Sequence, residues 1–483
     1  MKTILLMLFA VGFGQYAFAQ TPTPIETRNG LAPNERLGAF VDHGFPYKFA
    51  VGSPGGTQNG EVVGKIQLYD YINFDLREFG APIYGDIPNV GFGEVFDLEG
   101  DQMVVGMPAY DNNRGLVRVY EWKEDIEEWE QKGSDIQGPE IGCQFGKTVA
   151  MKVTGNMIVV GAPYASANGE NKGEVRIYTW TGVDWELRGE PIVGLNDNDL
   201  TGYHVKISRT QPLVIIGEPG NNVGVNKNGR IRFFEWNGSE WQLAYDDLEG
   251  PEPLTGFGIK FDITYHNDRF VVGMPIAEGT KGVVKTYKLN GTNWVQLYND
   301  LQGEEPGDLF GTDLNIVIHG QILIVGAPQG NTKPGYMNVF TDYAGRTNWN
   351  LSGEFSGSMP GEKYGSELAI SELVENVLVG APQEDSTFND AGKIYLYPYI
   401  LVSTDEQQKI EPLTIFPNPV KDVLHLEGPL NGEVFIYNLE GKLFLQNQLN
   451  ADNIEVGDLP EGAYILKIET KDKVLVSKFT KVD

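Results

Sequence analysis

One short motif recurs along most of this chain at a nearly constant interval. The motif is an apolar residue, glycine, any residue and proline, and it stands at residues 51–54, 105–108, 160–163, 216–219, 272–275, 325–328 and 379–382. Successive motif glycines are 54, 55, 56, 56, 53 and 54 residues apart. A fixed period of this length indicates a repeat architecture in which neighbouring units complete each other's core.

Each repeat also carries the signals of four short strands. An aromatic–glycine pair, or an equivalent, lies 13 to 15 residues before the motif glycine, and an alternating run such as 173–178 follows the motif. The middle repeats then contain a tryptophan, at Trp129, Trp185, Trp241, Trp294 and Trp349. Alternation with period two is typical of β-strands. We therefore predict an all-β fold, a seven-bladed β-propeller over residues 20–402 followed by a small C-terminal β-sandwich.

The motif residues have a structural explanation in such a blade. Proline ends the second strand because it cannot donate to the hydrogen-bond ladder, and glycine lets two backbones approach closely. We expect this structural role for Gly52, Pro54, Gly106, Pro108, Gly161, Pro163, Gly217, Pro219, Gly273, Pro275, Gly326, Pro328, Gly380 and Pro382. The last repeat lacks a fourth strand after Tyr397, so we predict that residues 25–31 supply it and join both ends of the ring in one blade.

The repeats resemble those of the FG-GAP family. Residues 145–146 with 161–163, and 310–311 with 326–328, carry the Phe-Gly and Gly-Ala-Pro signatures of that family. The resemblance covers residues 37 to about 400, and it implies a seven-bladed propeller like the integrin alpha head, which mostly binds partners. Many relatives hold calcium in an Asp-x-Asp-x-Asp-Gly loop between the first two strands. Only residues 97–101 keep acidic clustering here, without that spacing, so no cofactor is expected and calcium is the less favoured alternative.

The chain begins with a predicted targeting segment. Lys2 precedes an apolar run from Ile4 to Phe13, and residues 17–19 offer a small-x-small exit. The run is shorter than the roughly 20 residues of a membrane-spanning helix, as is typical of a secretory signal peptide. We predict a signal peptide over residues 1–19, with a buried N-terminal helix as the alternative, and no transmembrane anchor in the rest of the chain.

The C-terminal region is predicted to be a separate domain. Residues 403–412 contain no aromatic side chain and are expected to form a linker, and residues 413–483 alternate between strand and turn signals. This tail is similar to the type A sorting domain of the Bacteroidetes type IX secretion system. The matching positions include Pro417, Asn418, Pro419, Gly441, Gly462, Tyr464 and Lys478. The resemblance implies export by the type IX machinery to the cell surface or the medium, and an ordinary adhesive β-sandwich is the alternative.

Charge and cysteine content exclude several classes of function. The chain has 66 acidic and 37 basic residues and a formal charge of −29, which excludes nucleic acid as a partner because phosphate binding needs clustered Lys and Arg. The single Cys143 excludes an intrachain disulfide, a thiolate zinc site and an iron–sulfur cluster. The five histidines lack the spacing of zinc ligands, and we find no nucleophile motif. No catalytic or metal-binding residue is predicted, and the protein is expected not to be an enzyme.

Function is expected on the loops of one face. In an antiparallel blade, the connections between strands two and three and the connections between blades emerge together, and here these are the longer ones. Candidate partner-binding residues on this loop-rich face are Asp197, Asp199, Asn221, Asn222, Glu304, Asp308 and Asp385. We predict a non-enzymatic protein that binds a protein or glycan there. The alternatives are a polysaccharide-active enzyme that uses the central depression of the ring, a structural surface-coat component, and acids that only keep the protein soluble.

Overall fold

The computed structural model describes residues 23–482, apart from 45–47, 73–74, 167–168, 221–227, 318–319, 330–332, 343–347, 372–375, 398–408, 439–442 and 471–472. The predicted signal peptide therefore lies outside the described residues, as does most of the predicted linker. Apart from two single-turn helices, the regular structure of the described residues is β-strand.

Seven antiparallel sheets follow one another between residues 26 and 397. Strand β1 (Glu26–Asn29) belongs to the last of them. The first repeat contains β2 (Phe40–Gly44), β3 (Lys48–Ser53), β4 (Thr57–Gln58), β5 (Glu61–Val62), β6 (Lys65–Ile72), β7 (Asp75–Glu78) and β8 (Ile83–Tyr84). Strands β4 and β5 pair with each other in a separate two-stranded ribbon, and the other five form the first sheet. The second contains β9 (Val95–Glu99), β10 (Gln102–Met107), helix α1 (Tyr110–Asn113), β11 (Leu116–Lys123), β12 (Glu128–Gln131) and β13 (Ile136–Gln137).

The third and fourth sheets repeat the same order of strands. The third contains β14 (Thr148–Met151), β15 (Met157–Ala162), β16 (Glu174–Trp180), β17 (Trp185–Leu187) and β18 (Ile192–Val193). The fourth contains β19 (His204–Ile207), β20 (Leu213–Glu218), β21 (Arg230–Trp236), β22 (Trp241–Leu243) and β23 (Leu248–Glu249).

The last three sheets have four strands each. The fifth contains β24 (Lys260–Ile263), β25 (Arg269–Met274), helix α2 (Ala277–Thr280), β26 (Val283–Asn290) and β27 (Asn293–Gln302). The sixth contains β28 (Leu314–Val317), β29 (Ile322–Ala327), β30 (Tyr336–Thr341) and β31 (Asn350–Ser356). The seventh contains β32 (Glu367–Ile370), β33 (Val377–Ala381), β34 (Lys393–Tyr397) and, as its fourth strand, β1.

The seven sheets form a closed ring. The first strand of each sheet contacts the first strand of the next, and β32 of the seventh sheet contacts β2 of the first, so these strands surround the axis. Strand β1 pairs antiparallel with β34, with Glu26 opposite Leu396 and Asn29 opposite Lys393. The predicted closure by the N-terminal segment is therefore confirmed, and the all-β propeller fold is as expected.

The repeat glycines make the closest contacts between neighbouring sheets. A Cβ atom added to Gly326 would lie 2.0 Å from the carbonyl oxygen of Gly365 in the next sheet, and the other motif glycines meet their neighbours in the same way. At the junction of the last and first sheets, the corresponding distance from Gly380 to the oxygen of Gly38 is 2.2 Å. These distances leave no room for a side chain, which explains why glycine recurs at both positions.

The hydrophobic core lies between the sheets. The aromatic residue of each aromatic–glycine pair is almost fully buried, as for Phe92, Phe145, Phe257, Phe310 and Tyr364. Cys143 is buried in the same layer and packs with Phe145. Stability therefore comes from side chains shared by adjacent sheets, since no disulfide can form from one cysteine.

The tail forms its own β domain. It contains β35 (Lys409–Pro412), β36 (Ile415–Phe416), β37 (Val423–Asn438), β38 (Leu443–Glu455), β39 (Gly462–Thr470) and β40 (Lys473–Lys481), connected through one hydrogen-bonded network. Its core includes Ile436, Leu466 and Phe479. The predicted linker is too long at its C-terminal end, because residues 409–412 pair in parallel with β40 and so belong to the tail.

Candidate functional site

Two of the predicted partner-binding residues are buried supports of the loops. Asp308 Oδ2 accepts hydrogen bonds from the backbone N–H groups of Glu304 and Glu305, at 2.8 and 2.9 Å, and from the Tyr336 hydroxyl at 2.9 Å. Asp199 Oδ2 accepts the backbone N–H of Asn196 at 2.9 Å. Both carboxylates are almost inaccessible to solvent. The expectation that Asp199 and Asp308 contact a partner is therefore wrong, because their buried carboxylates accept hydrogen bonds from the backbone of their own turns.

The same supporting position recurs elsewhere in the ring. Glu35 and Glu362 also stand two residues before the aromatic–glycine position or its equivalent, and both are buried. Glu35 accepts the backbone N–H of Ala32, and Glu362 accepts a hydrogen bond from the Tyr395 hydroxyl at 3.0 Å. An acidic residue two positions before the aromatic–glycine pair or its equivalent therefore recurs in four repeats. This recurrence is visible in the sequence and indicates that the acid supports the turn.

The other predicted loop residues have mixed outcomes. Asp197, Glu304 and Asp385 are exposed and lie in the connections of different sheets. Asp197 accepts the backbone N–H of Glu170 at 3.1 Å, and Asp385 accepts that of Asp390 at 2.6 Å, so both also shape their loops. Asn221 and Asn222 lie outside the described residues.

In the part of the chain that the structure describes, exposed apolar side chains are more numerous in the connections of the loop-rich face than in those of the opposite face. Among the described residues, fifteen large apolar side chains are exposed. Seven lie in connections of the loop-rich face, namely Leu31, Val62, Ile141, Leu195, Leu254, Ile276 and Phe388. Only Ile126 and Val183 lie in connections of the opposite face, and four more lie on the outer strands at Leu187, Leu243, Val295 and Leu351. Leu31 and Leu254 are 78% and 68% exposed, and Val183 on the opposite face is 83% exposed.

A polar cavity of about 120 Å³ lies at the axis of the ring. Each first strand contributes the residue four positions after the glycine of its aromatic–glycine pair or equivalent. These residues form a ring of Asp42, Asp97, Ala150, Lys206, Asp262, Asn315 and Ala369. Glu99, Arg209, Thr264 and Tyr265 also line the cavity, and they stand at or just beyond the ends of the first strands. The cavity therefore lies towards the face opposite the loop-rich face. We call it the axial cavity.

The acids of this ring support the neighbouring sheets. Asp42 Oδ2 accepts the backbone N–H of Leu98 at 2.7 Å, and Asp262 Oδ2 accepts that of Ile316 at 3.0 Å. Asp97 accepts the backbone N–H of Met151 in the same way. A first strand has no partner strand on its axial side, so these acids satisfy backbone donors that would otherwise be unpaired.

Burial and charge perturb the groups around the axis. Burial, with help from Asp97, raises the pKa of Asp42 well above its ordinary value. Burial lowers the pKa of the Lys206 ammonium, but Asp262 and Asp97 raise it by more, so the net pKa lies above the ordinary value. Lys206 Nζ lies 3.4 Å from Asp262 Oδ1.

A second charged layer lies two residues earlier in the first strands. Lys260 Nζ lies 2.6 Å from Asp313 Oδ1. Burial and then Asp313 raise the pKa of Glu367 to about 8, against the opposing effect of Lys260. Burial and Lys260 lower the pKa of His204 well below its ordinary value. The neutral His204 ring can donate from Nε2 to the carbonyl oxygen of Phe261, 3.3 Å away.

The geometry of the axial charges does not form an obvious metal centre. Among the described residues, no group of three or more His, Cys, Asp or Glu side chains is arranged to hold a metal ion. In the 97–101 segment, where calcium is the less favoured alternative, Glu99 pairs with Arg209 and Asp101 pairs with Lys48. The axial residues cannot be recognised in the sequence, because they become neighbours only when seven distant strands meet.

The predicted sorting positions in the tail have defined contacts. The Asn418 side chain donates to the carbonyl oxygen of Lys478 and accepts the backbone N–H of Thr480, at 3.0 and 2.9 Å. The Tyr464 ring stacks on Phe479, and its hydroxyl donates to the carbonyl oxygen of Pro460 at 2.8 Å. Gly441 lies outside the described residues. These contacts fix the Pro417–Pro419 segment along β40.

Comparison with known families decides the role of this domain. Residues 414–482 match the family of secretion system C-terminal sorting domains. The tail is a type IX secretion sorting domain. This sorting domain directs the protein through the type IX machinery to the cell surface or outside. Separately, no helix of the described residues is long and apolar enough to cross a membrane.

Other comparisons concern the fold and a part of the chain. The chain is 30% identical over 112 residues to beta-agarase D of Zobellia galactanivorans, which is 22% of this chain and 24% of that protein. The chain thus spans about a quarter of this curated relative. A candidate 6-phosphogluconolactonase of Bacteroides uniformis superposes with a TM-score of 0.51 at 9% identity, covering 85% of this chain and 99% of that structure. A related protein of Bacteroides fragilis has a TM-score of 0.49 at 9% identity, covering 91% and 98%.

The likeness to the Bacteroides uniformis structure shows the propeller fold alone. At 9% identity it does not transfer an activity to this chain. The resemblance of the repeats to the FG-GAP family stays a prediction, since the matched family covers only the tail.

Proposed function

We propose that this protein is an exported, non-enzymatic binding protein whose loop-rich face binds a protein or glycan partner. The observation that supports this proposal is the uneven distribution of exposed apolar side chains, with seven in the connections of the loop-rich face and two in those of the opposite face, among the described residues. Apolar groups presented on loops over a rigid ring are typical of binding surfaces.

Charge indicates the kind of partner. The exposed carboxylates of Asp197, Glu304 and Asp385 lie in connections of the same face. An acidic surface repels polyanions and favours a partner with basic or neutral groups. We therefore propose a partner that covers the apolar side chains and brings positive charge to the acidic loops.

A polysaccharide-active enzyme is the less favoured proposal. The axial cavity has a volume of about 120 Å³, whereas pockets for organic ligands usually have roughly 300–1,000 Å³. A sugar polymer would not fit in it.

The proposal can be tested with paired surface variants. The exported protein would be applied to arrays of glycans and of purified surface proteins, together with the double variant Leu195→Ser/Leu254→Ser. The matched control is Ile126→Ser/Val183→Ser, which makes the same kind of change on the opposite face. We expect a bound partner whose signal falls about tenfold or more in the first double variant, as for buried interface side chains, and is unchanged in the control.

Two results would contradict this proposal. The first is an equal loss of binding in both double variants, which would place the contact elsewhere. The second is the absence of any partner together with ordered self-association of the protein, which would favour a surface-coat component. Hydrolysis of a polysaccharide by the unmodified protein would instead support the enzyme.

A further inference from the structure

The axial cavity has the features of a second binding site, separate from the loop-rich face. It lies at the other end of the ring axis, and its walls come from side chains that the partner on the loops would not touch. Two of its seven ring positions hold alanine, Ala150 and Ala369, and these small side chains leave space beside the charged ones. Its volume of about 120 Å³ is similar to cavities that hold one molecule of about six non-hydrogen atoms.

Acids outnumber cations around this cavity. The ring position carries Asp42, Asp97 and Asp262 but only one cation, Lys206. At the edge of the cavity, Glu99 is already neutralised by Arg209, 3.1 Å away. Lys206 lies beside Asp262 and its charge also acts on Asp97 and Asp42, so three carboxyl groups share one ammonium group.

The remaining polar groups do not correct this excess. Asn315 lines the cavity, and its Oδ1 atom is buried without a hydrogen-bond partner among the described residues. The cavity therefore carries more acidic than basic side chains, and His43, next to Asp42, also lines it. A ligand that fits there has to supply hydrogen-bond donors and positive charge.

We propose that the axial cavity binds a small ammonium or guanidinium group, held by the carboxylates of Asp42 and Asp97. The group would come either from a free small amine or from a lysine or arginine side chain of a partner that reaches into the cavity. This proposal stands independently of the partner on the loop-rich face.

The electrostatics predict how binding depends on pH. Burial and Asp97 raise the pKa of Asp42, and a bound cation opposes both effects, so binding releases a proton. The charged groups that act on Asp42 are Asp97 on β9, Glu367 on β32 and Lys206, which reaches across from β19. His43 on β2 and Glu99 on β9 line the same cavity. Because these groups stay in place, affinity for a cation should rise with pH while the ligand remains charged.

The test uses the full exported chain and matched pairs of small probes. Calorimetry would compare methylguanidinium with neutral methylurea, and n-butylammonium with n-butanol. We expect each cation to bind about tenfold or more tightly than its neutral counterpart, which is the difference that one charge-assisted hydrogen bond makes. A tripeptide with a central arginine, compared with its citrulline form, distinguishes the two sources. Tighter binding of the arginine peptide than of methylguanidinium identifies a side chain of a partner, and the reverse identifies a free small molecule.

Variants locate the site. Asp42→Asn and Asp97→Asn each replace a carboxyl group by an amide that can still accept the backbone N–H of Leu98 or of Met151, so both should fold. We expect each to weaken cation binding about tenfold or more and Asp42→Asn to reduce the dependence of binding on pH. Asp125→Asn, on an exposed turn of the second sheet, is the control and should bind normally.

The proposal is overturned if the neutral probes bind as tightly as the cations, or if no cation binds. It is also overturned if Asp125→Asn weakens binding as much as Asp42→Asn, since the cations would then be attracted only by the overall negative charge.

Discussion

At the scale of single residues, this propeller uses acids mainly as fixed parts of its frame. Asp308 and Asp199 hold the turns before two of the sheets, and Asp42 and Asp262 accept backbone N–H groups of the next first strand. Buried carboxylates in these positions are stabilised by the donors around them. The high acid content of the chain is therefore partly a requirement of its architecture.

The contact between repeat glycines gives a prediction about stability. In Gly326→Ala the new methyl group would collide with the backbone of Gly365, so we expect the free energy of unfolding to fall by about 3 kcal/mol. The control Gly291→Ala has open space around it but a positive φ of 67°, so it should cost only about 1 kcal/mol of backbone strain. Denaturant unfolding of both variants measures the difference, and equal losses would contradict the role given to the contact.

Glu367 gives a prediction about pH. The fold raises the pKa of Glu367 from 4.5 to about 8, so the folded protein holds a proton that the unfolded chain releases at lower pH. The resulting stabilisation is complete below about pH 4.5 and is lost as the pH rises through about 8. We expect the Tm of the unmodified protein to fall over this range and that of Glu367→Gln to fall less, as measured by scanning calorimetry. Parallel curves for the two proteins would show that Glu367 does not titrate in this way.

At the scale of strands and loops, the closure of the ring depends on one four-residue strand. Strand β1 lies on the outer edge of the seventh sheet, where Glu26 also accepts the backbone N–H of Leu76 in the first sheet, at 2.9 Å. It therefore connects the last sheet to the first as well as completing the last sheet.

Removing this strand should open the ring. We expect deletion of residues 20–30 to lower the Tm and to promote aggregation, because β34 would become an exposed edge. Deletion of residues 20–23, which leaves β1 in place, is the matched control. Differential scanning calorimetry with light scattering would follow both effects. An unchanged Tm in the longer deletion would mean that the pairing of β1 contributes no stability.

The sequence predicts the sheets of the ring and the closing strand β1 well, for a physical reason. At every junction between sheets, a backbone contact leaves room only for glycine at the motif position. The interval between motif glycines in the sequence is therefore the number of residues from one sheet of the ring to the next. The missing fourth strand after Tyr397 predicts β1 by the same logic. By contrast, the sequence does not show that Asp199 and Asp308 point inwards, because a turn residue and a buried support look alike in a polar loop. The axial cavity is beyond prediction from one repeat, since its ring combines Asp42, Lys206 and Asn315 from three distant repeats.

At the scale of the whole molecule, the chain combines a β-propeller with an export signal. Sorting is a property of residues 414–482, and the candidate binding surface is a property of the ring. The two functions should therefore separate in a truncation experiment.

Deletion of residues 413–483 should stop export but not folding. We expect the truncated protein to accumulate inside the outer membrane of a host with the type IX machinery, as measured by immunoblots of cell-surface, medium and periplasmic fractions. The Asp125→Asn protein, with an intact tail, should reach the surface or the medium as usual. Arrival of the truncated ring outside the cell would show that another signal is sufficient.

The position of β34 has a mechanical consequence. The chain leaves the ring for its tail from the end of β34, and this strand is paired with β1 on one side and with β33 on the other. A force exerted through the tail acts first on β34, for instance when flow acts on a protein held at a cell surface. This strand is hydrogen-bonded along both of its edges. Two ladders of hydrogen bonds then share the tension, so the point of attachment is reinforced where the ring is joined.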